Sequence, residues 1–187
     1  WLWIRGCIRY CTDRKNREIG RMEHMEIRNA EKGDEEILAW VQTESWKAAF
    51  SGILPENELE KATCFVKVKE MYRKILGEGI VKIKIGFIEE IPHCIAGWRQ
   101  NYNQKGAQTA EIICIHSMQT HWGQGFGSQM IKEILQNMKE EGYAEVMLWV
   151  FGENSRARRF YEKHGFHQNQ ASRIIHGITE MMYSRTL

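Results

Sequence analysis

The sequence predicts a single α/β domain, and three observations support that prediction. The chain has 187 residues, 43% of them apolar and 11% aromatic, which is enough material for one packed core. Strand-like and helix-like segments alternate along it. Between residues 110 and 151, a strand, a glycine-rich turn, an amphipathic helix and a second strand follow one another directly, which is the order of a βαβ unit.

The first half of the chain is predicted to form one strand and then helices. Residues 25–30, "MEIRNA", have the pattern of a strand, and Asp34 occupies the N-cap position of the helix that follows. After the break at "SGILPEN", a second helix is predicted over roughly residues 57–76. Gly77 and Gly79 would end it, because glycine readily takes the left-handed conformation of a helix C-terminus.

Strands dominate the middle of the chain. "IVKIKIGFIEE" and "PHCIAGWRQNY" are predicted to form a hairpin with its turn at Ile91 and Pro92. "TAEIICIHSM" is apolar at successive positions, so we expect it inside the sheet with both faces covered. The helix after the glycines repeats its apolar residues on one face and ends at Gly142. Strands 110–117 and 144–151 should therefore be parallel, with a right-handed crossover between them.

Charge and hydropathy argue against two classes of partner. The net charge is only +2, and the six basic and three acidic side chains of residues 1–24 account for the positive excess, so we expect no nucleic-acid partner. No apolar run approaches the roughly 20 residues that cross a bilayer, so we expect no membrane partner either.

Residues 1–24 differ from the rest of the chain. They show no apolar core or cleavage site of a signal peptide, and we expect a non-native or disordered appendage ahead of a domain over residues 25–187. Cys7 and Cys11 have a metal-ligand spacing, but no second Cys or His pair lies nearby, so unpaired thiols and no metal are predicted. The odd total of five cysteines is typical of reduced thiols in a cytoplasmic protein.

The glycines of "WGQGFG", residues 122–127, stand where a backbone could approach a phosphate closely. A dinucleotide-binding fingerprint would need glycine at position 128, which is serine, and a P-loop would need a lysine after the glycines. Both common nucleotide motifs therefore fail. What remains is a pyrophosphate held by the backbone N–H groups of residues 123–128 at a helix N-terminus.

"WGQGFGS" between its strand and its long helix resembles the acetyl-CoA motif [RQ]xxGxG[AG] of the GNAT superfamily of N-acetyltransferases. "LWVFGENSRARRFYEKHGF", residues 148–166, is similar to the next motif of that family, and "CIAGWRQN", "IRNAEKGD" and "SWKAAFSGILPENEL" resemble earlier segments of its bacterial members. The resemblance covers residues 25–187. It departs from the family at Trp122, where Arg or Gln is usual, and at Gln119, where proline is usual.

The resemblance implies the GNAT fold: a central, mixed, mostly antiparallel twisted sheet, with a parallel pair splayed around the CoA groove and helices on both faces. It implies direct transfer of an acetyl group from the co-substrate acetyl-CoA to a primary amine of a small molecule or peptide, without a metal. A homodimer is compatible with it. The alternative is a GNAT-fold module that binds acyl-CoA without turnover or serves as a regulatory protein. Trp122 would then indicate that the phosphate site has diverged from the motif of the family.

The resemblance also implies roles for single residues. Tyr161 would protonate the leaving thiolate, and Glu111, 14 positions before Gly125, would accept the proton of the amine. His116 is the alternate base, and Trp46 would belong to the acceptor wall, whereas Trp40 and Trp98 are predicted to be core residues. The expected contacts to the cofactor are Ile115, His116, Ser117, Trp122, Gly123, Gln124, Gly125, Phe126, Gly127, Ser128, Asn154 and Arg158.

Overall fold

The computed structural model describes residues 24–101, 108–175 and 177–187. The predicted appendage, apart from its last residue, lies outside the described residues, together with Cys7 and Cys11. No helix in the described ranges is long and apolar enough to span a membrane.

Five helices and seven strands follow one another along the described chain. They are β1 (Glu26–Asn29), α1 (Glu35–Phe50), α2 (Glu56–Ala62), α3 (Phe65–Glu78), β2 (Lys82–Ile88), β3 (Ile91–Gln100), β4 (Thr109–Ser117), a 3₁₀ turn (Gln119–His121), α4 (Phe126–Glu140), β5 (Glu145–Phe151), α5 (Ser155–Lys163), β6 (His167–Ile175) and β7 (Ile178–Thr186).

The strands form one sheet in the order β1-β2-β3-β4-β5-β7-β6. All neighbours are antiparallel except β4 and β5, which confirms the mixed sheet with a single parallel pair. The parallel ladder begins at Thr109 and Glu145 and extends only to Ile112 and Leu148. Beyond that point the two strands are no longer paired, so a gap opens between their carboxyl ends.

A β-bulge in β4 decides which side chains face the gap. Trp98 pairs with Ile112 and the preceding Gly97 pairs with Cys114, so Ile113 is an extra residue without a partner on β3. Ile113 is 45% exposed, and the prediction that this strand is covered on both faces was wrong at that position. The bulge reverses the alternation of side chains along the rest of β4.

Two apolar clusters cover the two faces of the sheet. One packs α4 against β3, β4 and β5, and the other packs α1 and α3 against β2 and β3. Burying each large apolar side chain of α4 stabilises the fold by about 1.5–3 kcal/mol. The predicted apolar face of that helix is confirmed by its buried residues, which are Phe126, Met130, Ile131, Ile134, Leu135 and Met138.

The helix predicted over residues 57–76 is two helices. The chain breaks after Ala62, where the Thr63 hydroxyl donates to the Leu59 carbonyl at 2.8 Å and Cys64 takes an extended conformation. The hydroxyl thus satisfies a carbonyl at the helix end. The second of these helices does end at Gly79, with φ at +67°.

The hairpin of β2 and β3 is confirmed, but its turn was predicted two residues too late. Glu89 and Glu90 form the turn with φ of +49° and +66°, as a two-residue hairpin loop of this handedness requires. Ile91 and Pro92 already belong to β3 and pair with Ile88 and Phe87.

Two further predictions have mixed outcomes, namely the helix N-cap at Asp34 and the assignment of Trp40 and Trp98 to the core. Asp34 stands at the N-cap of α1 as predicted, but its carboxylate forms an ion pair with Arg28 at 2.6 Å and caps no amide of the helix. Trp98 is 2% exposed and belongs to the core, whereas Trp40 is 38% exposed, so its assignment to the core was wrong.

Candidate functional site

A groove of about 410 Å³ lies between the end of β4, the loop before α4, and α5. Ile115 and Ser117 contribute to its wall from β4. One wall belongs to β4 and the loop that follows it, and the other to α5, which follows β5. The divergence of β4 and β5 holds these two walls apart. The splayed pair therefore positions the groove that the sequence predicted at the glycine loop.

The glycine loop presents backbone amides to the groove. Gln129 is the first residue of α4 whose N–H donates within the helix, to the Gly125 carbonyl at 3.1 Å. The preceding amides of Phe126, Gly127 and Ser128 therefore have no acceptor inside the helix, and they lie at the positive end of its dipole. All three residues line the groove.

The glycines serve different purposes in this loop. Gly123 and Gly125 have φ of +82° and +94°, a conformation that disfavours side chains, and a Cβ on either would meet no atom within 4 Å. Both line the groove, so this open space is available to a ligand. A Cβ on Gly127 would lie 3.3 Å from Phe160, so this glycine permits close packing of α4 against α5. Gln124 is exposed and does not line the groove, and its amide donates to the His121 carbonyl at 3.4 Å.

Trp122 links the end of β4 to α5. Its indole Nε1–H donates to the Ser117 carbonyl at 3.0 Å, and the Arg156 guanidinium carbon lies 3.3 Å from its ring centre. Both Trp122 and Arg156 line the groove, and desolvation lowers the pKa of Arg156. The sequence patterns did not single out Arg156, although the basic run "RARR" after Asn154 was a signal for it.

Four of the expected cofactor contacts do not line the groove, namely His116, Gln124, Asn154 and Arg158. The Asn154 side chain accepts from the Ala157 amide at 3.0 Å, so Asn154 is the N-cap of α5. Arg158 donates to the Tyr183 hydroxyl at 3.0 Å and to the Gly152 carbonyl at 3.1 Å. Arg158 therefore ties α5 to the neighbouring strand and loop, and the arginines of α5 that line the groove are Arg156 and Arg159.

Tyr161 lies in the wall of the groove and is only 9% exposed. Burial raises the pKa of its hydroxyl, and the nearby thiols of Cys114 and Cys94 raise it further. The ring packs edge-on against Phe160 and Phe166 at 5.4 and 5.7 Å between centroids. Tyr161 is therefore protonated at neutral pH and can donate a proton or a hydrogen bond into the groove.

Glu111 lies in the paired part of β4 and does not line the groove. Its carboxylate accepts from Arg99 at 3.2 and 3.3 Å. Ile115 lies four positions further along β4, which corresponds to roughly 13 Å along a strand. A role as proton acceptor therefore requires an acceptor amine to reach it from beyond the groove and to compete with Arg99.

His116 belongs to an aromatic wall that we define by Trp46, Phe50, His116 and Phe151. Trp46 Nε1–H donates to His116 Nε2 at 3.3 Å, and the Phe50 ring lies 4.8 Å from Trp46 and 5.4 Å from Phe151. Burial lowers the pKa of His116 to about 4. His116 faces α1 whereas Ile115 packs toward α4, because successive side chains of a strand point to opposite faces of the sheet.

The comparison with known protein families bears on this arrangement. The model of the acetyltransferase (GNAT) family matches residues 26–166. The chain belongs to the GNAT acetyltransferase family. It is thus an acetyl-CoA-dependent N-acetyltransferase, and the predicted family, fold, enzyme class and co-substrate are confirmed.

Relatives of this GNAT acetyltransferase differ in the amine that their names specify. Spermidine N(1)-acetyltransferase of Thermoplasma acidophilum is 28% identical over 158 residues, covering 76% of this chain and 88% of the relative. The crystal structure of PaiA N-acetyltransferase from the same organism, in complex with coenzyme A, matches with a TM-score of 0.77 and 21% identity over 88% of this chain and 99% of that one. Ribosomal-protein-alanine N-acetyltransferase from Brucella melitensis matches with a TM-score of 0.68 and 12% identity over 87% and 99%.

The GNAT groove contains one more buried polar residue that the sequence did not indicate. His93 is 3% exposed, and its ring lies 5.0 Å from that of His121 and 5.3 Å from that of Phe126. Burial and the proximity of His121 lower its pKa to about 4. Only the pairing of β3 with β4 brings His93 to the groove, so no local motif could have revealed it. No group of three or more metal-ligating side chains occurs in the described part of the chain.

Proposed function

We propose that this acetyltransferase binds acetyl-CoA in the groove between β4, α4 and α5 and transfers the acetyl group directly to a primary amine of a small molecule or peptide. The observation that carries the proposal is the set of free amides at the N-terminus of α4, facing the same groove as the protonated Tyr161. One end of the groove can hold phosphates, and the other can protonate a leaving thiolate. We take residues 25–187 as the catalytic domain.

The proposed acetyl transfer proceeds by addition of the amine to the thioester, followed by loss of the thiolate. The neutral amine nitrogen attacks the carbonyl carbon of the thioester, the carbonyl oxygen becomes anionic, and the amine loses one proton. Collapse of this intermediate breaks the C–S bond, and Tyr161 gives its proton to the departing sulfur. We assign backbone N–H groups of Ile115 and Ser117 to the carbonyl oxygen and the pantetheine arm, because both residues line the groove at the unpaired end of β4.

The proton acceptor is proposed to be Glu111. His116 is a weaker candidate, because its Nε2 accepts from Trp46 and its pKa is lowered to about 4. The acceptor amine would approach over the aromatic wall, on the face of the sheet that α1 covers. The relatives named above act on spermidine and on a ribosomal-protein alanine, which supports an amine acceptor but does not select between a small molecule and a peptide.

Release of free CoA thiol across a panel of amines tests the proposal. The panel should include polyamines, aminoglycosides and peptides with different N-terminal residues, each with acetyl-CoA as donor. We expect thiol release above the rate without amine for one class, with the acetylated amine identified by mass spectrometry. Tight binding of acetyl-CoA without release of thiol for any amine would instead favour the alternative, a GNAT-fold module that binds acyl-CoA without turnover. The sequence observation that supports this alternative is Trp122 in the phosphate loop.

A further inference from the structure

Arginine side chains lie over aromatic rings at several places in the described residues. These contacts are Arg28 over Phe87 at 5.1 Å, Arg173 over Trp149 at 4.3 Å and Arg156 over Trp122 at 3.3 Å. Arg28 also forms an ion pair with Asp34 and Arg173 one with Glu180, each at 2.6 Å. Arg156 forms no ion pair with any residue that the structure describes, so its charge has no protein counterion there.

The position of Arg156 indicates which charge could compensate it. Arg156 lines the same groove as the free amides of α4, and Arg159 and Lys163 line the groove from the same helix. Arg156 is accessible to a ligand, yet desolvation by the surrounding protein lowers its pKa. A cation without a carboxylate partner is stabilised when an anion binds beside it.

Trp122 holds this guanidinium in place. The indole is fixed by its hydrogen bond to the Ser117 carbonyl at 3.0 Å, and its face attracts and orients the flat guanidinium. The stack restricts a side chain that would otherwise lose considerable rotamer entropy on binding a ligand. Trp122 also stands at the first position of the family's phosphate motif, where a side-chain donor is usual.

We propose that Arg156, held on the ring of Trp122, is the side-chain donor to the pyrophosphate of CoA and replaces the donor that the motif lacks at position 122. The inference rests on the proposed function, because it requires CoA to occupy the groove. Arg156 is the binding residue, and its fork of N–H donors matches two phosphate oxygens. Trp122 is a positioning residue that acts through Arg156.

Titration calorimetry with CoA and with dephospho-CoA, which keeps the pyrophosphate but lacks the 3′-phosphate, tests this assignment. Arg156→Gln should weaken both ligands by about 10- to 100-fold, as expected for loss of a charge-assisted pair. Pantetheine, which has no pyrophosphate, should bind the variant and the wild type equally in an NMR titration. Arg173→Gln is the matched control, because it removes a stacked arginine remote from the groove and should change no affinity.

The role of Trp122 is tested by rescue. Trp122→Leu should weaken CoA binding by roughly 3- to 10-fold, and Trp122→Phe, which keeps an aromatic face, should recover part of that loss. Trp122→Arg combined with Arg156→Gln should restore much of the affinity that Arg156→Gln alone removes. Failure of this double variant to bind better than Arg156→Gln would contradict the replacement of one donor by the other.

The outcomes separate this inference from the proposed function. If wild-type protein binds no CoA, the proposed function fails and the inference fails with it. If the wild type binds CoA and folded Arg156→Gln binds it equally well, the inference alone is overturned. A loss seen with CoA but absent with dephospho-CoA would place Arg156 on the 3′-phosphate and overturn its assignment to the pyrophosphate.

Discussion

The indole N–H of Trp46 donates to Nε2 of His116 across 3.3 Å and joins α1 to β4 beside the gap between the parallel strands. A histidine that acts as a catalytic base needs an unoccupied ring nitrogen to accept the proton, and Nε2 of His116 already accepts this hydrogen bond. Because burial also lowers the pKa of His116 to about 4, the imidazole is neutral and only weakly basic at pH 7. The hydrogen bond therefore favours a role for His116 in the wall over a role as base.

Gly125→Ala should weaken CoA binding strongly, by at least about 10-fold, because the added Cβ enters the groove where the phosphates are proposed to lie. Gly142→Ala provides a control for backbone strain. Gly142 has φ of +86° against +94° for Gly125, a Cβ at either meets no atom within 4 Å, and Gly142 follows the opposite end of α4. Calorimetry and thermal midpoints should show similar destabilisation in both variants but lost affinity only in Gly125→Ala.

Tyr161→Phe should reduce kcat by roughly 10- to 10³-fold while CoA affinity and thermal midpoint remain close to the wild type. The phenyl ring preserves the packing against Phe160 and Phe166, and only the proton donor is lost. Steady-state rates with a responsive amine, measured beside calorimetry on the same preparation, make the test. Full activity with lowered stability would assign Tyr161 to the core alone.

Glu111→Gln should lower kcat on the order of 10²-fold if this carboxylate accepts the proton of the amine. Affinity for CoA should not change, because Glu111 does not line the groove. Arg99→Gln is the control for the ion pair, since it breaks the same contact and leaves the carboxylate in place. Equal losses of rate in the two variants would show that the ion pair, and not proton transfer, is what matters at this position.

The stability of the protein should fall as the pH is lowered from about 6.5 toward 4. His93 and His116 have folded pKa values of about 4, below the ordinary value of 6.5, so in that interval the unfolded chain binds more protons than the folded one. Each histidine contributes a slope of at most roughly 1.4 kcal/mol per pH unit. The effect is absent above the ordinary pKa.

Denaturant unfolding at pH 7 and pH 5 measures this dependence. His93→Gln should lose less stability between the two pH values than the wild type does, whatever its stability at pH 7. The exposed His167 provides a comparison, and His167→Gln should lose as much as the wild type. An unchanged pH dependence in His93→Gln would show that protonation of His93 does not oppose folding.

Local patterns in the sequence by themselves determined much of this protein. The apolar face of α4 follows from helical periodicity, the N-cap Asn154 from its place before a short helix, and the phosphate loop from glycines, which adopt a left-handed backbone without steric cost. The two motifs at their proper separation sufficed to identify the family. Each of these features depends on residues that lie close together along the chain, so the local conformational preferences of those residues are enough to specify it.

Tertiary structure decided which side chains meet. The bulge at Ile113 turns Ile115 toward α4 and His116 toward Trp46, and the register of β3 on β4 places Arg99 against Glu111. The approach of α5 to the glycine loop lays Arg156 on Trp122, 34 positions earlier in the chain. Such contacts depend on strand register and helix packing between distant segments. A shift of one residue in either would exchange the partners, and no local pattern specifies that alignment.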